Sequence, residues 1–152
     1  MKSLSLMLVS LVLVAMFSAA TYNNTLSGAQ TAGLDADGIT LNLTASGDLP
    51  GMSKVTLQRD GQNVVGGSWR MTILPQNANA SSNERGELIG VITGGTLSAS
   101  AEGTLNSASS VQIVMQGGTG EFGSVTTGNA IMSISANGEN PSQLNGTIVL
   151  NF

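Results

Sequence analysis

The sequence predicts an all-β protein, a single antiparallel β-barrel of about eight strands, preceded by a signal-peptide helix. Short apolar alternations of period two recur from Ile39 to Phe152 between turn signals rich in Gly, Asn and Ser, which is the pattern of half-buried strands. Beyond position 20, no window of a dozen residues joins helical periodicity to good helix formers. Only 9% of the chain is charged, too little to protect exposed strand edges, and this favours a closed barrel over an open sandwich.

The elements follow in order. Lys2 gives a positive start, Leu4 to Phe17 is apolar apart from Ser5 and Ser10, and Ser18-Ala19-Ala20 offers small residues for cleavage. That is the layout of a secretory signal peptide over residues 1–20, on an apolar stretch shorter than the roughly 20 residues of a spanning helix. The expected destination is secreted or periplasmic. Residues 21–33 are small and polar without periodicity and read as a flexible leader. The barrel domain is expected over residues 34–152.

Within it, Ile39, Leu41 and Leu43 share one face, as do Val55 and Leu57. Asp60-Gly61 reads as a hairpin turn. Val65, Trp69, Met71 and Ile73 face one way, with Ser68, Arg70 and Thr72 on the other. After the polar loop from Pro75 to Glu84, Glu87–Thr93 and Thr96–Ala101 read as a strand pair turning at Gly94-Gly95. Val111, Ile113 and Met115, then Ala130–Ala136, then Leu144–Phe152 complete the count.

Composition excludes several chemistries. The chain has no Cys and no His, so there is no disulfide, no lipid-modified cysteine, and no Ser-His-Asp or Cys-His catalysis. With residues 1–20 removed, Lys54, Arg59, Arg70 and Arg85 stand against nine carboxylates, a formal charge of −5. That balance argues against nucleic acid and against an anionic membrane surface as partners. No cofactor is expected. Leu34-Asp35-Ala36-Asp37-Gly38 resembles half a calcium loop but lacks its later ligands, so it reads as a turn and no metal is expected.

The densest signal is Gly117-Gly118-Thr119-Gly120 followed by Glu121-Phe122. A phosphate-binding loop opens into a helix and is followed by Lys. Here Thr- and Val-rich sequence follows, so the run reads as a bend, with Phe122 plugging one end of a barrel. This stretch, with Gly123-Ser124-Val125 and Gly128 after it and "GELIGVITGGTLSASAEGT" before it, resembles the allene oxide cyclase and dirigent superfamily. The likeness covers roughly residues 86–136 and departs at Gly128, one place later than the family pattern. It implies an eight-stranded antiparallel barrel and a lined cavity. No pocket carboxylate of that family matches a position here.

The candidate ligand-binding residues are Trp69, Arg70, Glu87, Glu121 and Phe122, with Glu102 as a further carboxylate that could join Arg70 in a cavity. Trp69 also reads as core and Arg70 as a rim charge. The C-terminal Gly146-Thr147-Ile148-Val149-Leu150-Asn151-Phe152 has the alternation of an outer-membrane barrel, against which stands an aromatic content of 3%. The functional expectation is a non-catalytic extracytoplasmic barrel that binds a small apolar molecule or serves a surface or matrix role. A barrel-type isomerase or cyclase acting by shape is the alternative, and a small outer-membrane barrel is the second.

Overall fold

A computed structural model describes residues 20–29, 39–57, 65–75, 83–96, 105 and 108–152. Its strands are β1 (Thr21–Ala29), β2 (Ile39–Gly47), β3 (Gly51–Leu57), β4 (Ser68–Ile73), β5 (Gly86–Thr96), β6 (Ser109–Gly118), β7 (Asn129–Ala136) and β8 (Gln143–Asn151). One 3-10 turn, Gly120–Phe122, lies between β6 and β7. The strands pair in chain order, each antiparallel to the next, and β1 pairs with β8, so the sheet is a closed barrel.

The period-two alternation sets the wall. On β2, Ile39, Leu41, Leu43 and Ala45 are buried while Asn42, Thr44 and Ser46 are exposed. Likewise Trp69, Met71 and Ile73 of β4 point inward and Ser68 and Arg70 outward. A one-residue slip of register would send each apolar set to water, so burial fixes the pairing.

The interior is filled by size matching across strands. Leu41, Val55, Trp69, Gly90 and Met115 are successive cross-strand partners from β2 to β6. Gly90, the β5 partner of Trp69, is held without a side chain because a Cβ there would run into the Val114 carbonyl and the Ile113 side chain of β6. The Trp69 Nε1 donates to Ser53 Oγ at 3.0 Å, which satisfies the one polar atom of the ring. Met71, Met115 and Met132 are 0–1% exposed, flexible side chains suited to irregular gaps in a tapering barrel.

Three readings of the sequence are corrected. Residues 21–29 are not a leader but the closing strand, in register with β8 from Thr21↔Asn151 to Ala29↔Gln143. The period was hidden because Asn24 and Gly28 share the inward face with Leu26. Gly94-Gly95 is not a hairpin. β5 runs through it to Thr96, and the ladder to β6 shifts register between Ile92 and Gly94, as a β-bulge does. Val65 is not in the strand with Trp69; it sits in a turn, 50% exposed. The signal-peptide residues 1–19, the half calcium loop 34–38, the Asp60-Gly61 turn and Glu102 lie outside the described residues.

A closing strand and a leader respond differently to truncation of Leu26, which is 3% exposed inside the barrel. Leu26→Ala is expected to lower unfolding free energy by about 2–5 kcal/mol, measured by urea denaturation. An unchanged midpoint would return β1 to the status of a leader.

Candidate functional site

The bend after β6 is built by close backbone approach. Gly120 has φ +60°, and a Cβ there would run into the Arg85 carbonyl oxygen. A Cβ on Gly118 would meet the Phe122 carbonyl. The glycines let the segment Arg85-Gly86-Glu87 lie against the turn, where the Thr119 N–H donates to the Glu87 carbonyl and the Glu121 N–H to the Arg85 carbonyl, both at 2.9 Å. Phe122 N–H and Gly123 N–H are also bonded, to the Thr119 and Gly120 carbonyls. The Thr119, Glu121, Phe122 and Gly123 amides are therefore committed to the protein itself and not offered to a phosphate.

Phe122 is buried, 7% exposed, and belongs to the apolar core. Its ring meets Phe152 edge-on at 5.9 Å, and Phe152 stacks on Tyr22 at 4.7 Å. Outside this aromatic group, Arg85 Nε donates to Glu121 Oε2 at 2.7 Å while its guanidinium lies 5.8 Å from the Phe122 ring centre. The pair is largely exposed, and exposed pairs contribute about 0–1 kcal/mol. Here it clips the turn to the start of β5.

The five candidate residues do not form one pocket. Trp69 and Phe122 face the interior, whereas Arg70 and Glu87 lie on the outer wall and Glu121 on the outside of the turn. Arg70 and Glu87 do meet, Nε to Oε2 at 3.6 Å, and Glu87 also accepts from the Thr72 hydroxyl at 3.2 Å. Among the described residues, no Lys, Arg, Asp or Glu points into the barrel, and no group of three metal-ligating side chains occurs. Among the described residues, the buried polar side chains are Ser53, Ser109 and Asn24. Asn24 Oδ1 accepts from the Leu49 N–H at 2.9 Å, and its Nδ2 is left without a partner.

Depressions do exist on the outer wall. One of about 430 Å³ lies over β8, β1 and β2 between Asn23, Thr25, Ser46, Thr147 and Val149. Another of about 270 Å³ lies over β3, β4 and β5 between Lys54, Thr56, Ser68, Arg70 and Ile89. The sequence reading missed Lys54, Thr56 and Ser68. What joins them to Arg70 is strand register, and a hairpin signal alone leaves that register open.

The features together define a closed, eight-stranded antiparallel barrel with an apolar interior and, among the described residues, its charged groups outside. Comparison with known proteins gives no match: no family model, no curated protein and no solved structure is recognisably similar to this chain.

Two glycines of one run give a paired test of the bend. Gly120→Ala is expected to destabilise by about 1–3 kcal/mol, the usual cost of a strained left-handed residue. Gly117, with nothing within 4 Å of an added Cβ, is expected to accept Ala neutrally or with a gain of about 0.5 kcal/mol. Thermal unfolding of both variants reads the contrast, and equal effects would remove the close-approach explanation.

Proposed function

We propose that this chain is a non-catalytic extracytoplasmic barrel that serves a surface or matrix role through its outer wall. The observation that carries the reading is the state of the interior. Trp69, Met71, Leu88, Ile113, Met115, Met132 and Ile148 are each 0–1% exposed. A void able to hold water beside these side chains would leave part of their surface accessible. An apolar guest would have to displace them.

A cyclase acting by shape needs an open lumen with groups that steer charge. The filled interior and the outward Arg70 and Glu87 count against that alternative. Resemblance to the allene oxide cyclase and dirigent barrels stays a reading of the stretch 117–128 and its surroundings. Activity does not follow from architecture. Against an outer-membrane barrel stand the β1 and β2 faces of the outer wall, while β3, β6 and β7 carry the exposed Met52, Val114 and Ile131. Outward positions on β1 and β2 include Thr21, Asn23, Thr25, Asn42, Thr44 and Ser46, where lipid would require an apolar band. Export rests on the signal-peptide layout of residues 1–20.

Trp69 is the only tryptophan of the chain and sits inside the barrel, so its emission reports on the interior. With the exported protein, 1-aminoanthracene is expected to leave Trp69 emission unshifted and unquenched across its soluble range. Amino-terminal sequencing of the same material is expected to begin at Thr21. Saturable one-to-one quenching would replace the surface role with apolar-ligand binding, and a retained leader would remove the export claim.

A further inference from the structure

On the outer wall of β3, β4 and β5, register assembles a group that the barrel itself does not need. Lys54 is directly opposite Arg70, and Arg70 is opposite Ile89. In the next row, Thr56 is opposite Ser68, and Ser68 opposite Val91. Directly opposed residues on one face have Cβ atoms about 4.5–5.5 Å apart, and like charges so placed are destabilising. The described wall strands carry two cations, Lys54 and Arg70, and they are set side by side in a chain of net charge −4. They line the same depression, with the two hydroxyls at one side and Ile89 at the other.

One carboxylate answers them in part. Glu87 approaches Arg70 Nε at 3.6 Å, while the Arg70 side chain stays 57% exposed. No carboxylate pairs with Lys54 among the described residues. The local sum of Lys54, Arg70 and Glu87 is one positive charge, which suits one negative charge. A long polyanion would meet repulsion from the acidic remainder of the molecule. An oxyanion seated between Lys54 and Arg70 would receive charge-assisted hydrogen bonds, with Thr56 and Ser68 as further donors and Ile89 against an apolar body.

We infer that this depression is a binding site for the carboxylate of a small organic acid with an apolar body. The ligand class deepens the outer-wall role and rests on that reading. Glu87 then acts as an internal competitor for Arg70.

The test is a titration of the isotope-labelled chain from Thr21 to Phe152 with hexanoate, followed by amide and side-chain NMR shifts. Signals of Lys54, Thr56, Ser68, Arg70 and Ile89 are expected to move along one saturable curve that weakens with added salt. Lys54→Gln and Arg70→Gln are each expected to weaken binding roughly three- to tenfold, within the range of charge-assisted contacts at a wet surface. Glu87→Gln is expected to tighten it by roughly two- to fivefold, because the competing carboxylate is gone. A purely structural role for the Arg70–Glu87 pair would not produce that gain. Glucuronate and inorganic sulfate are expected to bind more weakly than hexanoate, for want of an apolar body. Equal binding of sulfate, unchanged affinity in Glu87→Gln, or shifts scattered over the whole surface would overturn the site. Shifts confined to the Trp69 indole and interior methyl groups would instead overturn the packed-interior reading as well. A chain that binds hexanoate on this wall but is not exported leaves the site standing and removes only the extracytoplasmic role.

Discussion

The pairing of β1 with β8 is the constraint on which the rest depends. Without it, the chain would be an open eight-stranded sheet with two exposed edges and few charges to guard them. With it, nine residue pairs from Thr21↔Asn151 to Ala29↔Gln143 close the ring, and every strand has two neighbours. In a chain with no disulfide, closure of this ladder and burial of the apolar face are what hold the molecule together.

Closure also sorts the chemistry. A small closed ring leaves an interior just wide enough for side chains, and this chain fills it with Trp69, three methionines and branched aliphatics. The few polar groups admitted are short. Ser53 serves Trp69, and Asn24 uses its oxygen on the Leu49 amide. Charge is thereby displaced to the wall and to the loops at the ring's ends. Which polar side chains meet on the outside is a property of strand register, which sets the residues of one strand against those of the next.

Most of the barrel was legible in the sequence because β2 and β4 alternate apolar and polar residues, and β6, β7 and β8 keep the inward apolar period although Val114, Ile131 and Val149 face outward. β1 was not, because a buried position can be held by Asn24 or Gly28 as well as by Leu26 when the neighbours are large. A Cβ on Gly28 would strike the Leu43 side chain. The Gly94-Gly95 pair failed for a related reason: two glycines mark a turn or a bulge equally well, and only the partner strand decides. Site residues were less legible still. Trp69 and Arg70 adjoin in sequence but stand on opposite sides of a wall, while Arg85 and Glu121 are 36 positions apart and touch. Period two told which side of the strand each residue takes. It could not tell which residue lies opposite, and Lys54 became visible beside Arg70 only once β3 and β4 were in register.

The seam between β1 and β8 has a kinetic side. Thr21 and Asn151, bonded through their side chains, are 130 positions apart, so the contact that completes the ring is among the most non-local the chain can make. Topologies dominated by such contacts fold slowly, because chain entropy is surrendered before the contact forms. A partly emerged chain has no partner for β1 until β8 arrives, and its unpaired edges stay open to other chains in the meantime. The ring that gives every strand two neighbours is complete only when the last strand is free to pair.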